Sequence, residues 1–397
     1  MRISPLTRRA VATGCCCCVA LVLCAALAPA VDEAQLARRR IENAGGEVDE
    51  LLSSDGKTQL AVRWTGGDRG LAELSRLPHV RWLDLSNSKV TDVAMAQVAQ
   101  LPELEMLYLT STKVGDAGLA QLAQLVKLRG LFLAGTSVTS AGMRSVSQFK
   151  KLHWLNLAHT QVESAALAEL KTCAELRGLW LAGAKVDDAG LAPLATLKQL
   201  QSLRLERTGI TDAGLKDIAQ ISGLNSLWLS GTNISDAGLA SLGRLTALEV
   251  LFLDDTGATD RGLAALAPLT RLEILSLAND RVTDAGLPAL KPLVRLQRLM
   301  LDGTLVEGPG LGSLAATARL DLLGLAGSSI NDKGLAGVAR VKNLALLDLR
   351  ETSVTDQGLE ALRGLSGLRE LLLRRSKTTP AGRSSLARAL PDIEIVP

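Results

Sequence analysis

From residue 83 onward the chain repeats one short pattern. Leucines separated by a single residue recur every 24 positions, at Leu83/Leu85, Leu107/Leu109, Leu131/Leu133, Leu155/Leu157, Leu179/Leu181 and Leu203/Leu205, and so on to Leu371/Leu373, thirteen pairs without an insertion. Alternation of period two puts both leucines of a pair on one face of a short strand and the residue between them on the other. After each pair the period lengthens to that of a helix, in segments such as Ile210-Thr211-Asp212-Ala213-Gly214-Leu215 and Val282-Thr283-Asp284-Ala285-Gly286-Leu287. The aspartate before the apolar run is suited to cap the helix by accepting from its free amides. Glycine disfavours a helix interior, so its recurrence at Gly118, Gly142, Gly190, Gly214, Gly238 and Gly262 signals a close approach between neighbouring turns. A threonine follows each strand at 112, 136, 160, 208, 232, 256, 304 and 352, where a buried hydroxyl is expected to bond the backbone of the adjacent loop. Ala184 and Asp280 interrupt that row and read as local weak points.

A fixed period of this length is the mark of a solenoid, in which one unit cannot bury its own apolar face and stacking supplies the core. The pattern L-x-x-L-x-L-x-x-N, met by Leu200, Leu203, Leu205 and Thr208 with threonine in place of asparagine, resembles the leucine-rich-repeat family over residues 60–396. Within that family the chain looks most like the bacterial class of 24-residue repeats with TDAGL or GALA-like convex segments. The resemblance implies an α/β right-handed horseshoe with a parallel inner β-sheet and short outer helices. Right-handed crossovers between parallel strands are the general rule.

The flanks depart from the repeat. Arg2, Arg8 and Arg9 precede an apolar run from Ala10 to Ala28, closed by Ala28-Pro29-Ala30, so residues 1–30 read as a signal peptide cut after Ala30. The run also approaches the length of a membrane span, which leaves an uncleaved anchor as the alternative and the N-terminal segment as the chain's only expected membrane contact. Residues 31–79 read as an N-terminal cap with a first irregular repeat: a helix from Asp32 to Asn43, a stop at Gly45-Gly46 and an off-register strand from Gln59 to Arg63. Regular repeats occupy 80–376, and 377–397 form a C-terminal cap with a helix at Leu386–Leu390 and a half-strand at Ile393/Ile395. The turn at 304–320, with Gly308-Pro309-Gly310 and Thr317 in a leucine row, is expected to be the least protected in the array. Five of six cysteines lie in the leader, leaving Cys173 in a core register with no disulfide partner. Together these features place the protein outside the cell or in the periplasm or envelope.

Composition narrows function by what it withholds. Lysine plus arginine number 44 against 41 aspartates and glutamates, a balance that argues neither for nucleic acid nor for an acidic partner, and no nucleic acid is expected. His79, His153 and His159 follow no metal-ligand spacing, and neither a nucleophile elbow nor a phosphate-binding loop is present. The aspartates that recur once per repeat supply no cluster of hard oxygen ligands. No cofactor, metal or catalytic residue is expected, and the chain does not read as an enzyme.

The few aromatics are placed unusually. Tyr108, Phe132, Trp180, Trp228 and Phe252 sit between paired leucines, and Trp82 and Trp154 sit one residue before a pair, so all seven should face away from the core. Rings on neighbouring strands form an apolar patch of the kind that marks a binding surface. Charge on the same face is sorted along the chain: Arg81, Arg129, His153 and Arg177 first, then Glu249, Glu273 and Asp321 with Asp254 and Asp302 nearby, then Arg350, Arg369 and Arg374. The ligand-binding set is therefore Trp82, Tyr108, Phe132, Trp154, Trp180, Trp228, Phe252, Glu249, Asp254 and Glu273. The expected ligand is a protein, with a glycan or a second copy of the chain as alternatives.

Overall fold

The computed structural model describes residues 33–52 and 58–397; the leader and its cleavage site lie outside the described residues. One sheet of 16 strands, ordered as in the sequence, runs the length of the molecule. It opens with helix α1 (Glu33–Asn43) and an antiparallel pair, β1 (Glu47–Leu52) and β2 (Thr58–Arg63). From β3 (Val80–Asp84) onward every pairing is parallel, and the first leucines of successive repeats lie side by side, Leu83 beside Leu107 beside Leu131. The pairing of β2 with β3 shifts by one residue between Leu60 and Ala61, the irregularity expected of the first strand. β1 has no counterpart in the sequence reading, because Val48 is its one buried residue and no alternation marks it.

The convex segments are short α-helices such as Asp116–Gln121 and Asp236–Leu242, interspersed with 3-10 turns such as Ser164–Thr172. The 3-10 turns Ala192–Thr196, Leu287–Leu290 and Pro309–Ala316 carry a proline at the first or second position, whose ring removes an amide donor from the first turn. Between strands and helices the leucine rows are fully buried from Leu83 to Leu371. The core is not aliphatic throughout: Trp64 is 2% exposed and plugs the N-terminal end. Its indole N–H donates to the Gly67 carbonyl at 3.0 Å, and Gly66 and Gly70 lie against its ring where a larger residue would clash.

Two polar rows work differently from the sequence expectation. The helix caps are Thr91, Asp187, Ser235, Thr259, Asn331 and Thr355, one residue before the expected aspartates. The aspartates instead reach the next repeat. Asp116, Asp188, Asp212, Asp236, Asp260, Asp332 and Asp356 accept the backbone N–H of the following repeat's threonine or serine at 2.7–2.9 Å. The same residue's hydroxyl donates to the second carboxylate oxygen at 2.6 Å. Each capping hydroxyl thus accepts from its own helix and donates to its neighbour, which fastens turn to turn. This staple also explains the glycine row: a Cβ on Gly118, Gly214, Gly238 or Gly262 would overlap the preceding repeat's Asp carboxylate.

The threonine row, expected to bond the adjacent loop, closes its own turn instead. Thr112, Thr136 and Thr208 donate to the carbonyls of Leu109, Leu133 and Leu205 at 2.6–2.7 Å, three residues back in the chain. Thr256 is different, with its amide and hydroxyl both turned to the buried carboxylate of Asp280. One residue before this row the backbone adopts positive φ in every repeat, including His159, Arg207 and Glu351 as well as Gly135, Gly183 and Gly231. Glycine at 135, 183, 231, 303 and 327 adopts this turn without strain, a signal in the sequence that its reading passed over.

Candidate binding face

The sheet surface opposite the helices is built from two side-chain rows, the first and third residues of each strand. All seven aromatics assigned to it emerge there; Trp82 is 43% exposed and the others are half-buried. They touch one another in sequence. Ring centroids lie 6.5 Å apart for Trp82 and Tyr108, 4.3 Å for Tyr108 and Phe132, 5.5 Å for Phe132 and Trp180, and 6.2 Å for Trp180 and Trp154. Offset or tilted ring pairs at such distances are mutually attractive.

Small neighbours make this ladder possible. Phe132 and Trp180 belong to strands separated by that of Asn156, roughly 9–10 Å apart at the backbone, so their rings must lean together over the asparagine. Gly130 and Gly178 flank Trp154 in the other row; a Cβ at Gly178 would run into the Trp154 ring, and one at Gly130 into Met106. The rings therefore lie low over the sheet, each shielding part of its neighbour.

Trp228 and Phe252 form a second stack, 5.9 Å between centroids. Between the two stacks stands Arg204, which the sequence reading did not single out although it lies between Leu203 and Leu205. Its guanidinium carbon is 5.0 Å from the centre of the Trp228 ring, and Glu206 holds it through contacts of 2.9 and 2.6 Å. A cation over an indole face is attracted by the ring, so Arg204 extends the second stack toward the first.

The three acidic residues assigned to the site are not equivalent. Asp254 shares a hollow of about 620 Å³ with Arg204, Glu206, Trp228, Phe252 and Asp255. It is already engaged, accepting from the Ser230 and Ser276 hydroxyls and the Ala278 amide. Glu249 sits at the strand edge and pairs with Arg271 at 2.6 Å. Glu273, in the same edge row, makes no side-chain hydrogen bond or ion pair among the described residues. The basic end of that row is moderated, since Arg81 pairs with Glu105 at 2.6 Å and His153 with Glu175 at 3.1 Å. Further along, Asp302, Arg350, Glu351, Arg374 and Arg375 line a hollow of about 420 Å³, where burial pushes the Asp302 carboxyl up.

Groups of three or more His, Cys, Asp or Glu placed to hold a metal ion are absent among the described residues. Cys173 is buried, and desolvation pushes its thiol up, away from the reactive thiolate. No helix among the described residues is long and apolar enough to cross a membrane.

Comparison with known structures bears on the fold. An internalin from Listeria monocytogenes superposes with a TM-score of 0.65 at 21% identity, covering 92% of this chain and 94% of its own. A leucine-rich-repeat protein of Leptospira interrogans matches at 0.53 and 17%, covering 82% and 80%. A plant peptide hormone receptor, solved in complex with RGF2, matches at 0.51 and 15%, covering 84% of this chain and 57% of the receptor chain. Among curated proteins none matches. The family model for a leucine-rich repeat region matches residues 127–387, and the chain belongs to the leucine-rich-repeat family.

Proposed function

We propose that this protein is an exported, non-enzymatic binding module that engages a protein partner through its aromatic sheet face. The carrying observation is the unbroken contact from Trp82 through Tyr108, Phe132 and Trp180 to Trp154, with a second stack of Arg204, Trp228 and Phe252 on the strands that follow. Aromatic side chains and arginine dominate interface hot spots, and solenoids commonly bind along such an extended face. Glu249, Asp254 and Glu273 complete the site as its acidic margin. In this reading residues 1–30 direct export to the periplasm, envelope or medium, 31–79 and 377–397 cap the array, and 80–376 are repeats of the bacterial TDAGL class.

Glycan or cell-wall binding is the second reading, favoured by the partly exposed tryptophans Trp82 and Trp154 on the sheet face, since indole rings can stack against sugars. Capture from an extracellular extract tests both. A protein partner is lost when the extract is treated with protease and when Trp180→Ala and Trp228→Ala are combined. Retention by the double variant overturns the site, and survival of protease treatment favours the glycan. A molecular size that rises with concentration would point instead to self-association.

A further inference from the structure

The edge row beside the aromatic ladder is continuous, each residue's amide donating to the carbonyl of the row residue one repeat earlier: Gln201 to Arg177, Asn225 to Gln201, Glu249 to Asn225 and Glu273 to Glu249. Several charges of the row are neutralised within the chain. Within the row itself four are not: Arg129 and Arg177 toward the N-terminal end, and Glu273 and Asp321 toward the C-terminal end, make no side-chain hydrogen bond or ion pair among the described residues. Arg298, exposed and likewise unpaired in the neighbouring row, stands on the strand between the latter two and leaves that end net acidic. Arg129 and Arg177 flank the Phe132, Trp154 and Trp180 stack, whereas Glu273 and Asp321 lie beyond Phe252. Between the two pairs the row holds the uncharged amides Gln201 and Asn225 and the paired Glu249.

Resting on the protein-binding reading above, we propose that the partner contributes an extended peptide segment lying along the ladder, across the strands. It carries an acidic side chain at the Arg129/Arg177 end, aromatic or aliphatic residues over the rings, and a basic side chain at the Glu273/Asp321 end. Arg177 and Glu273 are four strands apart, roughly 19 Å, which an extended chain spans in about six residues. Charge complementarity of this kind fixes orientation and register more than it raises affinity.

The probe is a displayed library of short random peptides selected on the immobilised full chain. Peptides enriched on the native protein should carry Asp or Glu at one end, apolar residues centrally and Lys or Arg at the other. The variant Arg129→Glu/Arg177→Glu should enrich peptides basic at both ends, and Glu273→Lys/Asp321→Lys peptides acidic at both. Each double reversal should weaken a peptide selected on the native chain roughly tenfold. Both variants alter solvent-facing side chains, and unchanged circular dichroism checks that they fold. Failure to enrich any peptide, or the same peptides from all three proteins, overturns the proposal. Enrichment that ignores these charges but vanishes with Trp180→Ala/Trp228→Ala overturns only the charge pattern and leaves the aromatic site standing.

Discussion

Asp280 occupies a threonine position and is 2% exposed. Its Oδ1 accepts from the Thr256 amide at 2.9 Å and hydroxyl at 3.1 Å, while Oδ2 is buried without a partner. Burial, reinforced by Asp254 and Asp255, raises its pKa from 3.8 to about 7 against the pull of the Thr256 hydrogen bonds. A carboxyl whose folded pKa is raised holds its proton more tightly when folded. Its contribution to stability is therefore complete below about pH 4 and is lost as pH rises toward about 7. A rise of about three units corresponds to ~4 kcal/mol, an upper figure for what ionising Asp280 costs the fold. Asp280→Thr removes that cost and restores the row, leaving Thr256 free to bond the Leu253 carbonyl as its counterparts bond theirs. Urea unfolding of both proteins across this range should show nearly equal stability at about pH 4, with the variant gaining on the native chain up to about pH 7 and then holding a constant lead. Taking the difference cancels the other carboxylates, which titrate alike in both. A lead independent of pH, or a variant weaker at every pH, would refute a buried, proton-holding carboxyl.

Other outcomes follow from the same contacts. Gly238→Ala should destabilise by about 1–3 kcal/mol, because its methyl meets the Asp212 carboxylate and Leu215, whereas Gly364→Ala, near only the end of Lys342, should cost well under that; urea midpoints decide. Tryptophan emission should be mixed, with the sheet-face rings quenched by acrylamide and a blue component that disappears in Trp64→Phe. The turn at 304–320 should exchange its amides fastest within the array, except those of Glu307, Gly308 and Gly310, which the Asp284 carboxylate accepts; hydrogen exchange resolved by residue checks this. Intact mass of the exported protein should begin at Val31, and a retained leader would make it a membrane anchor.

The sheet and its register were legible because one period governs the chain, and a slip of one residue would have turned every leucine to solvent. That rule also placed the seven aromatics on the sheet face opposite the helices. Within a single unit, however, Thr-Asp-Ala-Gly looks like a helix cap. The true partner of each aspartate lies in the next repeat, 23 residues on, and spacing inside one repeat cannot reveal it. The threonine hydroxyls were misassigned in the opposite direction, since their partner is the nearest upstream carbonyl. Trp64 and β1 were missed for want of repetition: the end of a solenoid needs a plug and an edge, and neither has a second copy in the chain to mark it. Arg204 was overlooked as one charge among many, though its register put it between two tryptophan-bearing strands.

The central claim is that a partner docks on the aromatic face. Site-specific photocrosslinking tests it most directly, with a photoreactive side chain placed at Trp228 on that face in one protein and at Val126, 64% exposed in a convex loop, in another. Exposed to the same extracellular extract and irradiated, the protein carrying the probe at 228 should form a discrete protein adduct and the one carrying it at 126 should form none. An adduct at 126 alone would contradict the account and move binding to the convex side.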